Sequence, residues 1–237
     1  MFTFEKHIPL SAFIRQQSMG VVTHQPEVSV CLVAFDSSCY RDTLFTQLSI
    51  PFPDILKSAV TKRRAEYLAG RYAASQLLQE AGCNDAVTMG ADRAPVWPVG
   101  WWGSISHTEK WAIAILGPHR FNTRLGIDIE MLRPDVMLEI ANTFTIASER
   151  NVLATNHLPY ETALLIAFSA KESLFKALYP QAQNFFGFEA AKLCELRPYP
   201  NRFTLELTRQ LAPDLHASYR IHGYYLMGET DVTTMIV

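Results

Sequence analysis

Two acidic residues at alternate positions of a short apolar run, Asp128 and Glu130 in Arg124-Leu125-Gly126-Ile127-Asp128-Ile129-Glu130-Met131, carry the most legible chemistry in this chain. On a strand, alternate side chains leave opposite faces, so the two carboxylates share one face and Ile127 and Ile129 share the other. At about 3.3 Å rise per residue their attachment points stand roughly 6.5 to 7 Å apart, close enough for their oxygens to share one small hard cation. The same pattern also describes the solvated face of an ordinary sheet. A third carboxylate, Glu172, interrupts an apolar helical stretch, and three carboxylates suit Mg2+ whose remaining positions are filled by water and phosphate oxygens. Arg63 or Arg64, Arg71, Arg93, His107, Lys171 and Lys176 then supply cations for a polyanionic ligand, with the metal neutralising a diphosphate. No Walker A loop and no GxGxxG occurs, and no GxSxG elbow surrounds Ser104 or Ser106.

The elements that would position these groups follow from periodicity and punctuation. Val28 to Phe35 reads as a strand bounded by loops, and the rest of residues 1–58 carries little signal. Asp54 to Glu80 reads as helix, with a break or cap near Ser58 to Thr61 and an end at Gly82. Arg64 and Arg71, seven apart, project from nearly one face of it. Residues 90–107, rich in Gly, Pro and Trp, read as loop leading into a buried strand, Trp111 to Leu116, ended by Gly117-Pro118, with His107 at its mouth. Asp135 to Asn142 reads as a short helix, and Thr145 is a candidate cap for a helix whose first turn holds Glu149. Pro159 to Leu178 has apolar residues at three and four residue spacing and is expected to stop at Pro180. Phe203 to Leu207, Ser218 to Met227 and Val232 to Val237 read as an antiparallel meander. Each charged group also has an ordinary structural reading: a solvated helix face for the arginines, a hydrogen-bonded histidine, and an i, i+4 surface pair for Glu172 and Lys176.

Composition bounds the classes. The chain has 237 residues, 49 % of them hydrophobic, enough for one large or two ordinary domains with their own cores. A net charge of -2 gives no global attraction to nucleic acid or anionic membrane, so an anion site must be a local cluster. Cys31, Cys39, Cys83 and Cys194 form no CxxC pair and the histidines show no HExxH spacing. With no run of 18 apolar residues and no signal-like start in MFTFEKHIPL, a reduced, cytoplasmic protein without a membrane span is expected.

Taken in order, five segments resemble a known family: Arg63-Arg64-Ala65-Glu66-Tyr67-Leu68-Ala69-Gly70-Arg71, Pro95-Val96-Trp97-Pro98, Ser104-Ile105-Ser106-His107-Thr108, Gly126-Ile127-Asp128-Ile129-Glu130 and Phe168-Ser169-Ala170-Lys171-Glu172-Ser173-Leu174-Phe175-Lys176-Ala177. They resemble the motifs of the Sfp-type 4'-phosphopantetheinyl transferases, in particular the enterobactin synthase component D group. The resemblance implies an α+β fold of two similar α/β subdomains related by a pseudo-twofold, residues 1–123 and 124–237, each a small antiparallel sheet with a long packed helix, and coenzyme A in the cleft between them. It makes Asp128, Glu130 and Glu172 the Mg2+ ligands, and Arg63, Arg71, Arg93, Ser106, His107, Lys171 and Lys176 the contacts to coenzyme A. Counting back from Arg71 gives Arg63 as the phosphate contact, whereas helical geometry favours Arg64.

The implied reaction is attack by a carrier-protein serine on the β-phosphate of coenzyme A, releasing 3',5'-adenosine bisphosphate. Lys171 and Glu172 are the implied catalytic groups. The base would be Glu149 or a metal-bound water; the segment Phe144-Thr145-Ile146-Ala147-Ser148-Glu149 is one residue longer than the family's FTxxE spacing. The implied partner is a carrier protein or a carrier domain of a synthetase, with siderophore or other nonribosomal peptide synthetases foremost, and the enzyme is expected to act as a monomer. The other reading is a non-catalytic relative that binds coenzyme A or a carrier protein.

Overall fold

The computed structural model describes residues 1–8, 11–120 and 124–237, without the side chains of residues 5–8. The chain forms two compact units, Met1–Leu125 and Gly126–Val237. The seam expected near residues 122–124 falls largely on residues 121–123, which lie outside the described residues.

The first unit is a five-stranded antiparallel sheet with a long helix packed on it. Its strands are β1 (Phe2–Ile8), β2 (Ile14–Val22), β3 (Gln25–Phe35), β6 (Trp101–His107) and β7 (Trp111–Pro118), in the order β1-β2-β3-β7-β6. Short helices α1 (Thr43–Gln47) and α2 (Asp54–Lys57) precede α3 (Thr61–Glu80), and a two-stranded ribbon of β4 (Thr88–Met89) and β5 (Pro95–Val96) follows it. The break between α2 and α3 falls at residues 58–60, and Gly82 follows the end of α3 in the left-handed region at φ 77°. Helix α3 lies on β3, β6 and β7, burying Ala65, Leu68, Ala69, Tyr72, Leu77 and Leu78. Gly70 permits this approach, because a methyl group there would stand 2.9 Å from the Ile105 side chain on β6. Two expectations are corrected: the loop assigned to residues 90–107 contains strand β6, and the first 22 residues supply two strands.

The second unit repeats the plan. Strands β8 (Gly126–Met131), β9 (Ala191–Pro198), β10 (Asn201–Leu207), β11 (Arg220–Met227) and β12 (Asp231–Ile236) lie in the order β8-β12-β11-β10-β9, all antiparallel. Helices α4 (Pro134–Phe144) and α5 (Ala147–Ala154) lead to α6 (Tyr160–Ala182), which packs on β8 and β12 on one side and on α4 and α5 on another. Helix α6 runs past Pro180 to a left-handed Gln183 at φ 51°. Proline costs the bond to the carbonyl four residues back, and so near a C-terminus a helix can close just beyond it. The N-cap of α5 is Ile146 and not Thr145, whose hydroxyl instead donates to the Ala141 carbonyl at 2.6 Å. Gly126 sets the contact between β8 and α6, since a methyl group there would run into the Ser173 carbonyl oxygen. The fold is thus α+β, with small antiparallel sheets and long helices.

Candidate functional site

In the second unit, Asp128 and Glu130 stand on one face of β8, as alternation requires, but that face is not solvated. Asp128 is only 3 % exposed, and Ile127 and Ile129 on the opposite face are buried too. What covers Asp128 is α6, whose residues 169, 172, 173 and 176 fall on one stripe at helical spacing. Ser169 Oγ donates to Asp128 Oδ2 at 2.8 Å, and Lys176 Nζ donates to Asp128 Oδ1 at 2.8 Å and to the Ile127 carbonyl at 3.0 Å.

The three acidic groups share one field. Burial, then the Asp128 charge and more weakly Glu172, push the Glu130 carboxyl up to about 7, against the opposing pull of Lys176 and Arg133. Burial and then Asp128 also raise Glu172. Three neighbouring carboxylates, with Lys176 and Arg133 opposing, leave a negative excess that a divalent cation would offset, and an all-oxygen donor set suits a hard ion. Among the described residues no three His, Cys, Asp or Glu side chains converge at metal-ligating distance, so the carboxylates are neighbours and not a closed cage. In charge and donor type they fit the ion.

Lys171 goes elsewhere. At about 100° per residue it leaves the Asp128 stripe and points toward α4 and α5. Its Nζ lies 2.7 Å from Glu149 Oε1, donates to the Phe144 carbonyl at 2.7 Å and to the Phe188 carbonyl at 3.2 Å, and the pair is 3 % and 2 % exposed. Three acceptors use all three ammonium protons. Burial pushes the ammonium below the usual lysine range while Glu149 pulls it back. Glu149 Oε1 also accepts from the Leu193 N–H at 2.7 Å, and Oε2 from the Ile146 N–H at 2.9 Å, the carboxylate half of a capping box whose other half an Ile N-cap cannot supply. Both carboxylate oxygens are therefore committed inside this unit, an arrangement that holds segments together and is poorly suited to taking a proton from a substrate.

In the first unit, Arg63 Nη1 lies 2.8 Å from His107 Nε2. A guanidinium only donates, so Nε2 is the acceptor and the neutral ring carries its proton on Nδ1, which faces Glu66 Oε2 at 3.8 Å. Arg64 is clamped by Asp42 through two bonds from Nη1, 2.9 and 2.8 Å, and lies over the Tyr40 ring. Arg71 is 7 % exposed, stacks on Tyr67 with 4.6 Å to the ring centroid, and donates to the Thr88 carbonyl at 3.3 Å, while its Nε has no partner. Among the described residues no carboxylate forms a salt bridge with it, and burial lowers its proton affinity, which is the state of a guanidinium that an incoming anion would stabilise. Arg93 is exposed on the turn between β4 and β5 in the left-handed region at φ 69°, and Ser106 is buried on β6.

The structure thus gathers Asp128, Glu130, Glu172 and Lys176 in one unit and Arg63 and His107 in the other, keeps Lys171 and Glu149 as a separate buried pair, and leaves Arg93 on its turn. Sequence reasoning missed Ser169, Ser173 and Thr234, whose hydroxyls line the covered side of Asp128; the available signal was two serines at i, i+4 beside Glu172 and a threonine in the strand paired with β8.

Comparison with known proteins covers both units. The family model described as the 4'-phosphopantetheinyl transferase N-terminal domain matches residues 52–117, and that of the 4'-phosphopantetheinyl transferase superfamily matches residues 124–227. The chain is 40 % identical over 166 residues, 70 % of its length and 68 % of the relative's, to enterobactin synthase component D of Salmonella typhimurium. It is 38 % identical over 148 residues, 61 % of its length and 68 % of the relative's, to the protein of that name in Escherichia coli strain K12. It is 32 % identical over 143 residues, 59 % and 62 % of the two lengths, to 4'-phosphopantetheinyl transferase Npt of Nocardia iowensis.

Proposed function

Because this chain belongs to the 4'-phosphopantetheinyl transferase superfamily, enzymes that move the phosphopantetheine arm of coenzyme A onto carrier proteins, we propose how its own residues serve that transfer and which carrier it modifies. Asp128, Glu130 and Glu172 are assigned to a divalent cation, Mg2+, which when bound neutralises the diphosphate of coenzyme A. The observation that carries this assignment is the placing of Glu130 and Glu172 in the field of the Asp128 charge at a buried site, where burial first and Asp128 second push the Glu130 carboxyl up to about 7 and raise Glu172.

The phosphates of coenzyme A fall to Arg63 and His107, Arg71 and Arg93, with Ser106 beside them. Arg63 is preferred over Arg64 because both oxygens of Asp42 hold Arg64 through Nη1 and neutralise its charge, although Arg64 Nε is unpartnered, whereas Arg63 Nη1 meets the neutral His107 ring. Arg71 offers a buried charge whose Nε is unpartnered. Lys176, 2.8 Å from Asp128, places a positive charge next to the carboxylates where charge develops on the transferred phosphoryl group. The carrier serine oxygen forms a bond to the β-phosphorus, the bond from that phosphorus to the bridging oxygen breaks, and 3',5'-adenosine bisphosphate leaves while the serine proton passes to a base. For Glu149 to be that base it would have to release Lys171, Leu193 and Ile146; the bonds it makes support a holding role for Glu149 and Lys171.

The carrier is assigned to the siderophore class of peptide synthetases, supported by the names of relatives at 38 to 40 % identity. Intact mass of candidate carrier domains after incubation with the protein, coenzyme A and Mg2+ tests the reading. A phosphopantetheine adduct on a siderophore-synthetase carrier is expected; adducts confined to a fatty-acid carrier would overturn the carrier assignment, and no adduct on any carrier would overturn catalysis.

A further inference from the structure

The covered side of Asp128 holds a set of side chains that the transfer chemistry does not use. Thr234 on β12 is the cross-strand partner of Asp128 on β8, and Ser169 and Ser173 reach it from consecutive turns of α6. All three are 0 % exposed. Four oxygens lie in sequence: Ser173 Oγ to Thr234 Oγ1 at 2.7 Å, Thr234 Oγ1 to Ser169 Oγ at 2.9 Å, and Ser169 Oγ to Asp128 Oδ2 at 2.8 Å.

Proton counting fixes the direction. Each hydroxyl has one proton, and an ionised carboxylate only accepts. Ser169 must therefore donate to Asp128, so a proton in the next contact comes from Thr234, and a proton in all three contacts requires Ser173 to donate to Thr234. Ser173 Oγ also reaches the Thr234 carbonyl at 3.0 Å, an acceptor that competes for its one proton; with the proton there, Thr234 still donates to Ser169 and Ser169 to Asp128, so the last two bonds of the row keep their direction. The dipoles along the row then add in one sense and end on Oδ2, each bond polarising the next in a site without water access.

We propose that Ser173, Thr234 and Ser169 form a one-way hydroxyl relay that sets the carboxylate plane of Asp128 for cation binding, Thr234 being a positioning residue. The inference rests on the assignment of Asp128 to the cation. Anchoring Oδ2 from the core fixes where Oδ1 points, and Oδ1 is the oxygen beside Lys176. Without the relay, Asp128 keeps its charge and its lysine and loses its orientation. Groups that orient a metal ligand from behind typically govern affinity by about 10 to 100-fold.

The test uses Mn2+ alone as the probe, its free concentration followed by electron paramagnetic resonance, on the full chain and on Thr234→Val, which keeps the shape and removes the relay proton. Thr234→Val is expected to bind Mn2+ about tenfold more weakly, to raise the half-saturating metal concentration of transfer by a similar factor, and to keep kcat at saturating metal near the parent value. Thr234→Ser, which restores a hydroxyl, is expected to recover the affinity, an outcome that loss of packing alone would not give. Thr234→Val binding Mn2+ as tightly as the parent overturns the relay while leaving the cation assignment intact. A parent protein that binds no Mn2+, or binds it equally after Asp128→Asn, overturns the cation assignment and the relay with it. If Thr234→Val fails to fold, Ser169→Ala carries the same comparison.

Discussion

Arg63 and Arg64 are adjacent and chemically identical, yet their surroundings separate them. Arg64 Nη1 is held by both oxygens of Asp42, whereas Arg63 Nη1 meets an imidazole nitrogen that a phosphate can replace. Arg63→Ala is expected to raise the KM for coenzyme A by on the order of tenfold, the loss of one charge-assisted hydrogen bond. Arg64→Ala is expected to leave KM unchanged and to cost about 1 kcal/mol or less of stability, because Asp42 is half exposed. Steady-state kinetics and urea denaturation of the two variants separate the effects. Sequence periodicity could not make this choice: it reports which face a residue leaves from, and the deciding partner, Asp42, lies 22 positions away.

Glu130 makes a pH prediction at the same scale. Its carboxyl is raised in the folded protein, so between its ordinary value of 4.5 and about 7 the native state holds a proton that the unfolded state has released. Stability of the metal-free protein therefore falls as pH rises through that window. Glu130→Gln is expected to flatten the fall, and melting temperatures across pH 4.5 to 7.5 in chelator check it; a melting temperature that rises through the window in the parent would contradict the assignment.

Helices and strands position these residues by close approach. Gly126 lets β8 lie against α6, which brings Ser169 and Lys176 onto Asp128. Gly126→Ala is expected to cost about 1 to 3 kcal/mol and to weaken the site with it, as measured by chemical denaturation. On another side of α6, Lys171 and Glu149 tie the end of α4, the start of α5 and β9 together. Lys171→Met leaves a carboxylate buried without its cation, and about 3 to 5 kcal/mol of stability is expected to be lost, with part of it regained in the double variant with Glu149→Gln. A Lys171→Met protein of unchanged stability would show that the pair is not a clamp.

The long helices were legible because long runs with at most one Pro or Gly, Gly70 in α3 and Pro180 near the end of α6, leave few alternatives, and β8 because its alternation is unbroken. Strand β6 was hidden by the Pro and Gly residues before and within it, which read as loop until β7 is laid beside it, and β9 by an Ala, Lys, Leu and Glu composition with no strand preference. The pair of Lys171 with Glu149 was also out of reach. It depends on how α4 and α5 dock on α6, and each residue alone resembles an ordinary helix charge.

At the scale of the molecule, two units of like plan each carry their own core, and the family likeness runs through both. No described helix is long and apolar enough to cross a membrane. The net charge of -2 leaves the binding of a polyanion to local groups, and the three carboxylates would repel it without a counter-ion. A divalent cation is therefore the central requirement of the account. Transfer of the phosphopantetheine arm to a carrier domain, followed by intact mass during Mg2+ titration of the chelator-treated protein and of Asp128→Asn, tests it most directly. No transfer is expected in chelator, recovery with Mg2+, and no recovery in Asp128→Asn even where circular dichroism finds that variant folded. Transfer that proceeds in chelator, or that Asp128→Asn leaves undiminished, would contradict it.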